Sequence, residues 1–284
     1  MAINIHFFRK SSLEKIDFDK VLDYFETLPN FKIYYTDEYV EAVCNDKDFE
    51  FEYRYLITRQ SRVKGIYDLN PAYININFLL EMPVLIPSFL AKEILTLAQK
   101  ICKQFDLDIY HESFADVKPF NVVDMLVLFE QMRAQYVEEY GLQGKIKLDG
   151  EKLGIVFKYQ RSIQSLVDYY NGEVVVGSCF PMVSHVNSVS GIGYRWTLGE
   201  AAVFPPYIDY IYVENEGQTY LVKRADFYRI LSKYFIEIKT FLPDLYVIKG
   251  KNAKTCKKEV KKLAKFAIDA STFVPLRLCD AIEE

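Results

Sequence analysis

The segment Ser184–Trp196 combines residue types that often bind ligands or perform catalysis. It contains small polar residues, two glycines, a histidine, an arginine and the only tryptophan of the chain. Functional side chains concentrate on loops, because a rigid scaffold holds them while they stay accessible. We interpret the segment as a loop between strands and as the first candidate for a ligand or partner site. The candidate binding residues are His185, Tyr194, Arg195 and Trp196.

No catalytic motif accompanies this segment. Gly191 and Gly193 lack the third glycine and the following helix of a dinucleotide-binding fingerprint. The serines near His185 do not form the nucleophile elbow of an α/β-hydrolase. A catalytic triad would also need an acid and spatial proximity, neither of which sequence reveals. We therefore assign no catalytic residue.

The histidines and cysteines do not form a metal-binding pattern. His6, His111 and His185 are far apart in sequence, and no HxxxH or HExxH spacing is present. The five cysteines are scattered, and none belongs to a Cys-x-x-Cys pair. We expect neither a metal ion nor a cofactor.

The second candidate is a group of arginines interleaved with tyrosines, namely Arg54, Arg59 and Arg62. Single-stranded nucleic acid needs this combination of charge for phosphate and rings for stacking. Strand alternation, however, places Arg54 and Tyr55 on opposite faces. The net charge of −4 and the pI of about 5.6 also argue against broad nucleic-acid binding. We interpret the group as a solvated strand end, with an anion or nucleic-acid patch as the alternative.

The third candidate is a lysine-rich segment, Lys249–Lys265. Most of this segment belongs to a predicted basic helix, Lys251–Ala270. Charge runs are usually solvated faces, which is our interpretation. A docking surface for an acidic or phosphate-rich partner is the alternative.

The order of elements in the first part of the chain indicates a mixed fold. Alternation and helical spacing predict strand, helix, several strands, helix and strand. This resembles the βαββαβ order of the ferredoxin-like fold with one or two additional strands, although no motif accompanies it. The predicted elements are the strands Ile3–Phe8, Phe31–Tyr35, Tyr39–Cys44, Phe49–Thr58, Tyr73–Leu79 and Leu107–Tyr110 and helices around Val21–Leu28 and Ser88–Phe105.

The rest of the chain is less regular. We predict strands at Leu153–Tyr159, Glu173–Ser178, Gly193–Thr197, Tyr207–Glu214 and Thr219–Val222, and a helix over Asp226–Thr240. The predicted fold class is therefore α+β, with a ferredoxin-like domain over residues 1–115, a connector helix within residues 116–143 and a second, mostly antiparallel α+β domain over residues 144–284.

Composition indicates the cellular compartment of the protein. Half of the residues are apolar, and the most apolar window, Phe78–Leu90, is interrupted by two prolines and is too short to span a bilayer. The amino-terminal residues lack the apolar region of a signal peptide, and scattered cysteines fit a reducing compartment. We therefore expect a cytoplasmic protein that does not contact a membrane, compatible with a bacterial source.

These observations favour a protein that binds a protein partner or ligand without catalysis, of the regulatory, accessory or immunity type. One alternative is an enzyme or small-ligand sensor with its site on the 184–196 loop. The other is nucleic-acid binding through the Arg54–Lys64 segment. No sequence feature indicates the oligomeric state.

Overall fold

The computed structural model describes residues 2–142, 147–186 and 189–283. It is a mixed α+β structure with antiparallel sheets and several helices. The chain divides into two compact units, Met1–Gly144 and Lys145–Glu284. The predicted domain boundary lies beside this division, and Gln143 and Gly144 are outside the described residues.

Six strands and three helices lie within residues 2–142, the described part of the first unit. The strands are β1 (Ala2–Lys10), β2 (Phe31–Tyr35), β3 (Tyr39–Asp46), β4 (Phe51–Thr58), β5 (Tyr73–Pro83) and β6 (Leu107–Tyr110), and the helices are α1 (Phe18–Glu26), α2 (Ser88–Phe105) and α3 (Val122–Glu139).

The strands of the first unit form one sheet in the order β2-β3-β4-β5-β1-β6. Every neighbouring pair in it is antiparallel. The structure shows an antiparallel sheet with helices, but its topology does not confirm the ferredoxin-like unit that the sequence predicts.

Helices α1 and α2 cover one face of this sheet. The ring of Phe25 in α1 lies 4.8 Å from that of Tyr55, and the rings of Phe7 and Phe78 stack at 4.7 Å. Helix α2 adds a fully buried stripe that includes Leu90, and α3 packs against α2. The core of the unit is therefore aromatic and lies on the helical side of the sheet.

The opposite face of the sheet is covered at one end only. Phe8, Ile66 and Val117 form a small apolar cluster there, with Ile66 in the segment that joins β4 to β5. The remaining part of this face carries the alternate residues of β2 to β5, which include several charged side chains.

The helix predictions for the first unit are confirmed in position. Helix α2 spans Ser88–Phe105, as predicted, and α3 lies within the predicted connector region of residues 116–143. Helix α1 begins three residues before the predicted Val21, and its N-cap is Asp17. The Asp17 carboxylate accepts a hydrogen bond from the amide of Asp19 at 3.1 Å, which satisfies one of the free amides of the first turn.

The second unit contains four helices and twelve strands within the described residues. The helices are α4 (Gly150–Tyr170), α5 (Arg224–Leu231), α6 (Lys251–Thr255) and α7 (Val260–Ala264). The strands are β7 (Lys147–Leu148), β8 (Val175–Val176), β9 (Cys179–Ser184), β10 (Ser190–Thr197), β11 (Ala202–Phe204), β12 (Tyr210–Asn215), β13 (Gln218–Lys223), β14 (Ile236–Glu237), β15 (Tyr246–Ile248), β16 (Ala267–Ile268), β17 (Phe273–Pro275) and β18 (Ile282–Glu283).

Two sheets build most of the second unit. One has the order β16-β13-β12-β10-β9-β17 and the other the order β14-β15-β11-β8. Six of the nine strand pairs are antiparallel, and the parallel pairs are β10–β12, β11–β8 and β18–β7. The ring of Trp196 contacts those of Phe204 and Phe227, so β10, β11 and α5 share one aromatic core.

The predicted strand Leu153–Tyr159 is wrong, because these residues lie in helix α4. Ile155 and Val156 are β-branched and favour a strand locally. The buried residues Leu153, Val156 and Phe157 nevertheless follow helical spacing. The Asp149 carboxylate caps the helix by accepting from the amide of Lys152 at 3.0 Å.

The two long helices predicted near the carboxyl end are shorter than expected. Helix α5 ends at Leu231, and the chain continues through a 3-10 turn into β14. The predicted helix Lys251–Ala270 is divided into α6, a 3-10 turn at Cys256–Glu259 and α7, after which β16 pairs with β13. Strand pairing of Ile268 with Leu221 ends the helical region, because those residues need extended backbone.

The 184–196 loop is corrected in part, because the strand predicted at Gly193–Thr197 begins earlier, at Ser190. Residues Ser190–Thr197 form strand β10, which pairs with both β9 and β12. Asn187 and Ser188, which fall in this predicted loop, lie outside the described residues. Small residues in this segment made it resemble a loop, but the two glycines make room for neighbouring side chains within the sheet, as described below.

Candidate functional site

A surface depression of about 680 Å³ lies on the uncovered face of the first sheet. Strands β2, β3, β4 and β5 each contribute alternate residues to it. We call it the glutamate groove, and its principal side chains are Tyr34, Glu41, Val43, Glu52, Arg54 and Glu81.

Strand pleating explains why these side chains share the groove. Successive residues of a strand point to opposite faces, so Arg54 is turned away from the buried rings of Tyr53 and Tyr55. Arg54 faces Glu81 on β5 and Val43 on β3 in the strand pairing. Directly opposed residues lie on the same face of a sheet. The register of three neighbouring strands thus brings one arginine and its acidic neighbours together.

Arg54 bridges two glutamates at the centre of the groove. Its Nη1 donates to Glu41 Oε2 at 3.0 Å, and its Nη2 donates to Glu81 Oε1 at 2.9 Å. The Arg54 side chain is 40% exposed, whereas that of Glu41 is only 15% exposed. Partial burial acts to lower the pKa of Arg54, but Glu81 and Glu41 outweigh it and raise the pKa. The guanidinium is therefore held as a permanent cation.

The groove nevertheless carries a surplus of negative charge. Glu41, Glu52 and Glu81 supply three carboxylates against the single guanidinium of Arg54. Glu52 is exposed, and its Oε1 accepts a hydrogen bond from the side-chain Nδ2 of Asn45 at 2.7 Å. The aromatic ring of Tyr34 lies at the rim and is 48% exposed. This arrangement suits a cationic group, which carboxylates attract and an aromatic face stabilises.

The arginines predicted as an anion patch do not share the groove. Arg59 and Arg62 are exposed on the segment that follows β4, and neither lines the groove. Arg54 is engaged by two carboxylates, so its donors are directed at protein groups. A phosphate at Arg54 would have to displace these glutamates.

Two of the residues predicted for the 184–196 site are in the core of the second unit. Tyr194 is 1% exposed, and its hydroxyl donates to the Val203 carbonyl at 2.6 Å. Trp196 is 2% exposed, and its indole Nε1 donates to the Glu200 carbonyl at 3.0 Å. Burial raises the pKa of Tyr194. Both side chains therefore stabilise the packing of β10.

Arg195 lies on the opposite, outer face of β10. Its guanidinium is 5.5 Å from the ring centres of both Phe180 and Tyr212, and its Nη1 is 3.9 Å from Glu214 Oε1. The side chain remains 61% exposed. A small surface patch of one arginine over two rings is the result.

Gly191 and Gly193 leave space for the side chains that lie on this face of β10. A Cβ at Gly193 would lie 2.6 Å from the Phe180 ring and 2.8 Å from the Met182 sulfur. A Cβ at Gly191 would lie 2.9 Å from the Tyr210 ring. The glycines let these side chains lie flat on β10, which explains a composition that resembles a loop.

His185 lies at the other end of the β9–β10 hairpin. It is exposed in a turn, and its amide donates to the Thr272 carbonyl at 3.0 Å. Ser190 pairs with Val183, whereas Tyr194 pairs with Cys179. At about 3.4 Å per residue, His185 and Arg195 are separated by roughly 20 Å along the hairpin. The four predicted side chains therefore do not form one site.

The acidic residues of the groove were missed by sequence reasoning. Glu41, Glu52 and Glu81 are spread over three strands, and no local pattern joins them. A partial signal was present, because Glu52 and Arg54 occupy alternate positions of a strand and so share a face. Tyr34 gave no signal, since exposed and buried tyrosines look alike in sequence.

Other chemical features are limited in the described part of the chain. Those residues contain no group of three or more histidine, cysteine, aspartate and glutamate side chains placed to hold a metal ion. Nor does any helix among them have the length and apolar character needed to cross a membrane.

The fold and the groove define a two-unit α+β protein with an acidic surface depression on an uncovered sheet face. Comparison of the chain with protein-family models, curated proteins and solved structures finds no significant match.

Proposed function

We propose that this chain is a non-catalytic binding protein that receives lysine or arginine side chains of a protein partner in the glutamate groove. The observation that supports the proposal is the groove itself. It contains three glutamates, one arginine that forms ion pairs with two of them, and an exposed tyrosine ring at the rim. A carboxylate pair that is held in place by Arg54 is pre-organised for a second cation.

The charge distribution also supports a basic partner for the first unit. Of the 39 acidic side chains in the chain, 23 belong to the first unit, against 15 of the 35 lysines and arginines. This surplus of eight negative charges would speed the association of a cationic partner and disfavour an anionic one.

We also infer that the first unit is an elaborated ferredoxin-like unit. The strands β4, β5, β1 and β6 are consecutive in the sheet, with α1 after β1 and α2 between β5 and β6. These features match the split βαβ arrangement. In this interpretation the hairpin β2–β3 is an addition at the β4 edge, and it supplies Tyr34 and Glu41 to the groove.

We propose that the protein is located in a bacterial cytoplasm. We further propose that it has a regulatory, accessory or immunity role. All five cysteines lie within the described residues, are buried and form no disulfide there, which supports a reducing compartment.

The experiment uses a defined probe, the capped heptapeptide Thr-Val-Lys-Val-Thr-Val-Lys. We expect saturable binding by isothermal titration calorimetry, with amide NMR shifts centred on Glu41, Arg54 and Glu81. Binding should weaken with added salt, because the attraction is electrostatic and partly exposed. The same peptide with glutamate in place of lysine should not bind.

Variants locate the binding site. The double variant Glu41→Gln and Glu52→Gln should weaken binding by about ten-fold, on the basis of roughly 0.5–1 kcal/mol for each partly exposed charge. The matched control Glu26→Gln removes a charge on α1, on the helical side of the sheet, and should bind normally. Unchanged binding in the double variant, or equal binding of the acidic peptide, would refute the proposal.

A further inference from the structure

The groove is continuous with an open sheet edge. Strand β2 is the terminal strand of the first sheet, so β3 is its only neighbour in that sheet. Tyr34 belongs both to β2 and to the rim of the groove. Tyr35, next to it, is 68% exposed. A segment that paired with β2 would therefore lie directly beside the groove.

The hydrogen-bond register identifies which amides of β2 face outward. The Thr36 amide donates to the Tyr39 carbonyl, and the Asn45 amide donates to the Asn30 carbonyl, both at 3.0 Å. Hydrogen-bonded and non-hydrogen-bonded pairs alternate along an antiparallel ladder. Lys32 and Tyr34 therefore bond to β3, whereas the amides and carbonyls of Phe31, Ile33 and Tyr35 point away from it.

We propose that the basic partner binds as an extended segment that adds a strand to β2 and places a lysine or arginine over Tyr34, toward Glu41. This inference rests on the proposed function, and it specifies the form of the partner. Main-chain hydrogen bonds would supply affinity, and alternate side chains would supply specificity. An unpaired strand edge is a ready template for such pairing.

The charges of the groove and of Lys32 favour one kind of partner strand at the β2 edge and one register of its pairing with β2. A second copy of β2 would bring a second acidic groove against the first, which like charges oppose. A basic segment has no such penalty. Lys32 lies on the same face as Tyr34, two residues earlier, and is exposed. The partner residue that faces Lys32 should therefore be neutral or acidic, and the basic residue should follow two positions away.

The test compares two substitutions at one position. Tyr35→Pro removes an outward amide and leaves the ladder to β3 intact, whereas Tyr35→Ala removes the ring and keeps the amide. With the heptapeptide Thr-Val-Lys-Val-Thr-Val-Lys, we expect at least a ten-fold loss of affinity for Tyr35→Pro. For Tyr35→Ala we expect a change of less than about three-fold, since a single exposed side chain contributes little.

Amide hydrogen exchange provides a second measurement that does not depend on a variant. In the unaltered protein, the peptide should slow exchange at Ile33 and Tyr35, whose amides would become hydrogen-bonded. The amides of Lys32 and Tyr34, which already bond to β3, should change less. Absence of protection at Ile33 and Tyr35 under saturating peptide would overturn strand addition.

The outcomes separate this inference from the proposed function. If Tyr35→Pro binds like the unaltered protein while the Glu41 and Glu52 double variant does not, strand addition is wrong and the groove proposal stands. If the peptide fails to bind the unaltered protein, both are wrong. If the protein dimerises without peptide and Tyr35→Pro abolishes the dimer, the occupant is a second copy, and the inference of a basic partner segment is overturned.

Discussion

Arg54 lies directly opposite Glu81 in the pairing of β4 with β5, and its Nη2 donates to Glu81 Oε1 at 2.9 Å. The same guanidinium reaches Glu41 on β3 through Nη1. One arginine therefore joins three strands and keeps two carboxylates at fixed positions on an otherwise uncovered sheet face.

Removal of this arginine should affect stability and binding in opposite directions. Arg54→Gln leaves Glu41 and Glu81 without their cation, so we expect a loss of about 1 kcal/mol in the free energy of unfolding, the upper end for partly exposed pairs. The cationic heptapeptide should bind more tightly, because the negative charge that the groove gains outweighs the positioning of Glu41 and Glu81 that it loses. Urea denaturation and calorimetry measure the two effects. Arg59→Gln is the control, since Arg59 is exposed outside the groove. Weaker peptide binding in Arg54→Gln would contradict this account.

Gly193 should resist substitution even by alanine. Its new Cβ would lie 2.6 Å from the Phe180 ring and 2.8 Å from the Met182 sulfur. Overpacking of this kind costs about 1–3 kcal/mol, which thermal or urea unfolding would detect. Gly154→Ala is the matched control, because Gly154 lies in α4 and its Cβ would meet nothing within 4 Å. That substitution should stabilise the protein by up to about 1 kcal/mol. Equal effects at the two glycines would contradict the packing argument.

His6 should make stability depend on pH. Burial, with a smaller effect of His111, lowers the pKa of His6 from 6.5 to about 4. Between these values the unfolded chain binds more protons than the folded protein. The free energy of unfolding should therefore fall as pH decreases from 6.5, by about 3 kcal/mol at most, and level off below pH 4.

Two histidine variants test this dependence. His6→Leu should flatten the pH profile of urea denaturation between pH 6.5 and pH 4, because the buried titrating group is gone. His185→Leu, which removes an exposed histidine, is the control for the loss of a histidine as such. A profile that His6→Leu does not alter would show that His6 titrates normally in the folded protein.

Glu259 should act in the same direction as His6, but at lower pH. Its side chain is 3% exposed, with Lys262 at 2.7 Å and Lys233 at 3.0 Å. Hydrogen bonds from Lys262 and then Lys233 lower its pKa from 4.5 to about 2. The resulting stability is present above pH 4.5 and is lost as the pH falls toward 2.

The corresponding variant is Glu259→Gln. Because both lysines are largely exposed, we expect a modest loss of about 1–2 kcal/mol at neutral pH. Glu173→Gln removes an exposed carboxylate of the same unit and should have no measurable effect. If Glu259→Gln were as stable as the unaltered protein at pH 7, the buried carboxylate would not be a stabilising group.

Sequence patterns predicted local elements well where one periodicity dominated. Helix α2 was predicted at its observed bounds, and the alternation in β4 assigned Arg54 and Tyr55 to opposite faces. Prediction failed where local preference and long-range packing disagreed. Ile155 and Val156 favour a strand but lie in α4, and Gly191 favours a loop but lies in β10. In both cases the contacts that decide the outcome come from distant parts of the chain.

The sequence by itself determined which side chains of a strand share a face, because that periodicity is a property of the extended backbone. It also determined the positions of the three helices of the first unit. Only the tertiary structure decided which face α1 and α2 cover, and which carboxylates Arg54 meets. Glu41 and Glu81 are 13 and 27 residues away from Arg54 in sequence. Their contacts depend on strand neighbours and register, which arise from packing of the whole sheet against its helices.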